Sequence, residues 1–302
     1  MRALEKALTI FIALTPACSI ADWTYHENTD EMRGEKTTSA SIESSATLQL
    51  SQSNQDTLTI TSVRSDHGSG FYFKLKEGKF SCVPELCDVS MKFDDGKVLD
   101  LKAIGDKEAS NIIHVQNPNL FVATARISKR LIVEVPLYKL GKAQFKFDIS
   151  GLTWDGTTPS KDGLYAGVGG QTWADLYDPA AGLVDNGFGE GEDRCYIDPK
   201  PTTTAFGAKP KKITHCYYQG RHYLSMVDFE FNKIKQVVGA VSKQVGKPEQ
   251  GEIKEYVSWS DIEENNLLSI GILASKKNNV ATLLVTYVPA DNLVPLRKPV
   301  AK

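Results

Sequence analysis

The 302-residue chain carries 35 Lys and Arg against 37 Asp and Glu, a formal net charge of −2. So even a balance leaves no electrostatic footprint for nucleic acid, and none is expected among the partners. Five cysteines pose a sharper question: whether they staple, ligate or do redox work depends on the compartment.

The opening segment, MRALEKALTIFIALTPACSIA, addresses the compartment. Arg2 and Lys6 precede an apolar run from Ala7 to Leu14, shorter than the roughly 20 residues that span a bilayer. Ser19-Ile20-Ala21 then places small residues at a signal-peptidase site, so 1–21 reads as a secretory signal peptide. Pro16 interrupts the alternative, a buried helix. A lipoprotein anchored through Cys18 is the rival, but Thr15-Pro16-Ala17 lacks the expected leucine. Losing Arg2, Glu5 and Lys6 turns 35 basic and 37 acidic residues into 33 and 36, a mature charge of −3. The expected address is periplasmic or secreted, with no transmembrane segment after cleavage.

The cysteines that remain are Cys82, Cys87, Cys195 and Cys216, an even count that reads as two disulfides in an oxidising compartment. Three pairings are open; the local couples Cys82 with Cys87 and Cys195 with Cys216 are expected. Loop-closure entropy makes them worth about 2 and about 3 kcal/mol. A zinc knuckle wants spacing of about two to four residues with a second ligand pair to match, and a thioredoxin-type site wants a shorter gap.

From about Asp22 to Trp154 a two-residue period dominates, the mark of strands with one wet and one dry face. Phe71, Phe73 and Leu75 alternate with Tyr72, Lys74 and Lys76, and Val89, Met91 and Phe93 with Ser90 and Lys92. Asp95-Gly96 marks a tight turn before the strand from Val98. TLTITSV (57–63), LIVEVPLY (131–138) and AQFKFDI (143–149) keep the rhythm, and NPNLFVATARIS reads as one short helix. Residues 22–154 are therefore expected to form an antiparallel β-sandwich-like module. SDHGSG, Ser65 to Gly70, reads as a hairpin loop, because consecutive Ser, Asp and His on a turn cannot converge as a triad.

Residues 155–193 are rich in Gly, contain Pro159 and Pro179 and show no apolar period, so they read as a long linker or an ordered excursion. GLYAGVGG (163–170) lacks the Lys-Ser/Thr of a phosphate loop. Trp173 and Tyr177 are the aromatics expected to be exposed. DNGFGEGED gathers Asp185, Glu190, Glu192 and Asp193 among glycines, a calcium candidate outside the EF-hand register. No other metal or cofactor is expected.

Residues 194–289 hold the strong helix signal. In NKIKQVVGAVSKQVGKP, Ile234, Val237, Val238, Val241 and Val245 recur at spacings of three and four, with Asn232 as N-cap and Gly246 and Pro248 closing. The strand HYLSMVDFEF precedes the helix, and EYVSWS, LLSIGILAS and VATLLVTYV follow it. A curved antiparallel sheet packing one helix is expected, which makes the whole chain β-rich α+β. The bridge from Cys195 to Cys216 would close a proline-stiffened loop carrying Lys200, Lys209, Lys211 and Lys212. A closed loop loses less entropy on docking, so Lys209, Lys211 and Lys212 are the partner-binding candidates. Zinc through Cys195, His215, Cys216 and His222 would need free thiolates. The tail 290–302, with Pro295 and Pro299, is expected to be loose.

The order Trp23, DEMRG (30–34), GKFSC (78–82), Cys87, KFDDG (92–96) and GLTW (151–154) resembles a group of exported bacterial β-rich proteins of uncharacterised role. The resemblance covers residues 22–154, implies fold and export, and carries no activity. A looser likeness touches periplasmic lysozyme inhibitors, whose loop holds Ser-Gly-x-x-Tyr; here Tyr72 follows Ser69-Gly70 one residue early.

The expected function is a non-catalytic exported binding or accessory protein of the bacterial envelope, including an immunity or inhibitor role against a toxin or hydrolase. Its expected partner is another envelope protein. One alternative is a periplasmic hydrolase of unknown substrate, since catalytic residues can be distant and motif-free; its bases would come from His26, His67, His114, His215 and His222. The other is a structural component of an envelope or secretion assembly.

Overall fold

A computed structural model describes residues 23–45, 48–49, 55–66, 68–82, 85–116, 118–154, 163–189, 191–201, 206–249, 256–259 and 267–295. The signal segment with Cys18, His67 and Glu190 lie outside the described residues.

Up to Trp154 the chain forms β1 (Thr24–Thr29), β2 (Lys36–Glu43), β3 (Leu48–Gln49), β4 (Gln55–Asp56), β5 (Leu58–Ser65), β6 (Gly68–Leu75), β7 (Leu86–Phe93), β8 (Val98–Gly105), β9 (Ile112–Val115), helix α1 (Pro118–Ala125), β10 (Arg130–Leu137) and β11 (Gly141–Asp148). β3 pairs with β4, and the other nine strands make one antiparallel sheet in the order β1-β2-β5-β6-β9-β8-β7-β10-β11. The alternating apolar positions, among them Leu58, Ile60, Phe73, Met91, Val133 and Phe145, all face one core.

Twist curls the sheet until its two ends approach. Ser45 N, just past β2, donates to Lys146 O on β11 at 2.8 Å, and Trp23 Nε1 donates to Ile149 O at 3.2 Å. The sandwich-like module is thus one sheet wrapped round its own core. Helix α1 packs into that core, where Phe121 stacks on Phe71 with 3.9 Å between ring centroids.

The remainder forms β12 (Gly167–Val168), β13 (Gln171–Thr172), β14 (Val184–Asp185), β15 (Asp193–Asp198), β16 (Lys212–Tyr218), β17 (Arg221–Phe229), α2 (Ile234–Val245), β18 (Tyr256–Trp259), β19 (Leu268–Ser275), β20 (Val280–Tyr287) and a short α3 (Val288–Asp291). Its sheet runs β14-β15-β16-β17-β20-β19-β18. Val237, Val241 and Val245 of α2 bury against it, in the core that holds Phe229, Ile272 and Leu283. Asn232 does not cap α2: a tight turn at Phe231–Lys233 precedes the helix, and Lys233 occupies the cap position without a side-chain bond. Among the described residues no helix is long and apolar enough to cross a membrane.

Further expectations are corrected. The described part of the 155–193 stretch belongs to the second module, because Leu164, Val168 and Trp173 are buried in its core. Its glycines serve turns: Gly169 and Gly170 join β12 to β13 at φ of 59° and 82°, the left-handed values a two-residue hairpin needs. Trp173 is accordingly buried and donates to Leu164 O at 2.7 Å. The tail is likewise fixed as far as Pro295. Ala290, Leu293 and Val294 are buried, and Leu293 enters the core of the first module; so short a segment displays no period from which burial could be read.

Candidate functional site

The two modules meet at this last segment, and a cleft of about 920 Å³ opens between them. Its floor is the outward face of β7, β10 and β11. There the register places Lys92 beside Ile132 and Ile132 beside Lys146, because their neighbours Phe93, Leu131 and Phe147 turn inward. The opposite wall is the turn between β16 and β17. Gln219 and Gly220 both hold positive φ, 49° and 77°, which makes the tight hairpin. Tyr177 N donates to Gly220 O at 2.7 Å, and this carries Leu176, 65% exposed, to the cleft.

The charges in the cleft are unevenly committed. Asp94 accepts the backbone amides of Arg130 at 2.8 Å and Lys129 at 3.1 Å. Asp148 accepts Ser150 N and Ser150 Oγ, and Asp95 pairs with Arg130 at 3.2 Å. Arg221 donates to Ala174 O at 3.2 Å. Lys92, Lys129 and Lys146 also line the cleft, and among the described residues none of their ammonium groups has a carboxylate partner. The acids are spent on backbone amides, the Ser150 hydroxyl and Arg130; the lysines remain for something else.

A second polar group lies beneath the wall. Between Cys216 and Tyr217 the register of β16 and β17 shifts, so that Tyr217 faces His222 while Cys216 faces Leu224. The extra residue of this bulge turns His222 and Ser225 onto one face, although they are three apart. Ser225 Oγ then lies 2.9 Å from both His215 Nδ1 and His222 Nε2. His222 Nδ1 is 3.1 Å from Thr172 O, and a carbonyl only accepts, so that nitrogen carries hydrogen. Burial lowers His215 to about 4 and His222 to about 3, so both are neutral at pH 7. His222 Nε2 must therefore accept from Ser225, and Ser225 must accept from His215 Nδ1. His215 Nε2 is left as a buried lone pair without a partner, below Gly169, whose β-carbon would sit 3.3 Å from it. Trp173 closes the group by stacking on His222 at 4.5 Å. All three polar residues are fully buried.

The cysteines take their expected pairings, Cys82 with Cys87 and Cys195 with Cys216. Cys195 and Cys216 lie directly opposite on β15 and β16, 4.0 Å apart at Cα. Cys195 N and O bond instead to the chain at Phe188 and Asn186, so the pair occupies a non-hydrogen-bonded site, where strands run closest. His215 and Cys216 are neighbours on one strand and face opposite sides, so the zinc quartet cannot assemble.

Lys209, Lys211 and Lys212 are exposed as expected, but their loop is anchored. Phe206 is buried in the core of the second module, and Gln236 Nε2 of α2 donates to Gly207 O. Lys212 begins β16 and Tyr218 ends it, so these lysines and the cleft stand at opposite ends of the strand. Of the calcium candidates, Glu190 lies outside the described residues, and the other three bond separately. Asp185 accepts Gly187 N, Glu192 accepts Gln219 Nε2, and Asp193 accepts Tyr223 OH. Asp185 lies opposite Tyr196, three positions from Asp193 on β15, which puts the two carboxylates on different faces.

Sequence reasoning missed Lys92, Lys129, Lys146 and Arg221, which come from four separate segments. No family model, curated protein or solved structure matches the chain.

Proposed function

We propose that this is a non-catalytic binding protein, exported to an oxidising compartment, that holds an acidic segment of a partner protein in the cleft between its modules. The observation that carries the reading is the charge imbalance there: Lys92, Lys129 and Lys146 have no carboxylate partner among the described residues, while Asp94, Asp95 and Asp148 are occupied. Unpaired ammonium groups around a concavity attract carboxylates and raise association rates. Exposed Leu176 and half-buried Ile132 supply an apolar anchor of the kind that gives a charged interface its hot spot. Two disulfides favour the exported address. The His215–Ser225–His222 chain is sealed from solvent, which suits cohesion rather than chemistry on a substrate.

The test is fluorescence anisotropy with a labelled glutamate-rich peptide carrying leucines. Binding should weaken with salt, and Lys129→Glu with Lys146→Glu should cost at least about tenfold in affinity. Changing Lys209, Lys211 and Lys212 to Glu should leave binding within about twofold. The reverse pattern moves the site to the disulfide-closed loop, and a peptide that never binds removes the proposal.

A further inference from the structure

On strands other than those that floor the cleft, the outward face of β2, β5 and β6 forms a trough of about 520 Å³. Alternation builds its lining. Thr57, Thr59 and Thr61 interleave with the core residues Leu58 and Ile60, and Ser39 and Ser41 interleave with Ala40 and Ile42. The register then sets one row across the strands, in which Ser41 faces Thr61, Thr61 faces Tyr72 and Tyr72 faces His114, while Thr59 stands between Glu43 and Lys74. Side-chain hydroxyls thus recur at the strand spacing of about 4.8 Å, a step comparable to one pyranose unit in an extended chain.

These hydroxyls are uncommitted. Among the described residues, the side-chain oxygens of Ser39, Ser41, Thr59, Thr61 and Tyr72 bond to no other residue. Thr61, which lines the trough, is 7% exposed, and its hydroxyl has no partner among the described residues. A buried hydroxyl left unsatisfied is a standing cost, which a partner seated in the trough would relieve. The rings of Tyr72 and His114, 5.9 Å apart and inclined by 54°, give one flank an aromatic surface.

We propose that this trough binds a linear oligosaccharide. Sugar hydroxyls both donate and accept, as do those of Ser and Thr, so the row can exchange hydrogen bonds with successive units while one ring rests on Tyr72. The trough's charges are of both signs, with Glu43 facing Thr59 from β2, Lys74 facing it from β6 and Lys76 just beyond β6, so they do not select an anionic ligand.

Calorimetric titration of the mature chain with cellohexaose, chitohexaose and mannohexaose tests this. At least one should bind, and the near-isosteric pair Thr59→Val with Thr61→Val should weaken it by about tenfold or more without lowering the melting temperature. Failure of all three hexaoses to bind overturns the proposal. So does binding that the threonine variants and Tyr72→Ala leave within about twofold; the valine variants serve if Tyr72→Ala does not fold.

Discussion

The backbone carbonyl of Asn292 rests against Gly96, in the space that a β-carbon on that residue would occupy, and accepts Lys97 N at 3.0 Å. Gly96 sits in the turn between β7 and β8, yet the left-handed residue of that turn is Asp94, at φ 45°. The glycine is needed for close approach between modules rather than for its backbone freedom. Lys97 adds a half-buried ion pair with Asp291 at 2.8 Å. Gly96→Ala should therefore destabilise by about 1–3 kcal/mol through overpacking, read as a lower urea midpoint. Unchanged stability would mean that the junction yields easily.

The buried histidines predict acid sensitivity. Their folded values, about 4 for His215 and about 3 for His222, lie below the ordinary value near 6.5. As pH falls from about 6.5 towards those values, the unfolded chain takes up protons first, and stability declines. Above about 6.5 their contribution is complete. Each histidine adds at most about 1.4 kcal/mol per pH unit to the slope. His215→Leu removes a lone pair that has no partner but also the Nδ1 donor to Ser225, so it should cost about 0.5–1.5 kcal/mol at pH 7.5 and flatten urea-derived stability between pH 6.5 and 5. An unchanged slope would contradict the assignment.

The disulfides should differ in worth. Removing the Cys195–Cys216 bridge as a double alanine variant opens a closed loop with a sequence separation of 21, about 3 kcal/mol by loop entropy. The Cys82–Cys87 bridge, with a separation of 5, should cost about 2 kcal/mol. Thermal unfolding with and without reductant measures both, and the wild type in reductant should fall further than either double variant.

Phe206 holds the lysine-bearing loop to the second core. Phe206→Ala should cost about 3–5 kcal/mol and make the chain between 199 and 212 the first site of limited proteolysis. Cutting elsewhere first would show that Gln236 and the disulfide suffice to hold it.

Period-two alternation identified the dry and wet faces of β5 to β7 and of β10 and β11 from residues such as Phe71, Phe73, Val133 and Phe145, because the side-chain repeat of a strand is local. The valine spacing of α2 was equally legible, and so were the disulfide couples, since an even cysteine count and short separations are read along the chain. The threonine row at 57, 59 and 61 was visible as one face of a strand, but its alignment with Ser41 and Tyr72 depends on register between strands. What only the tertiary structure decided is where distant segments meet. Sequence spacing carries no information on the approach of Asn292 to Gly96, on the gathering of Lys92, Lys129, Lys146 and Arg221 round one cleft, or on the bulge that turns His222 toward Ser225. Each depends on how a curled sheet and its neighbour pack, and packing joins residues far apart in the chain.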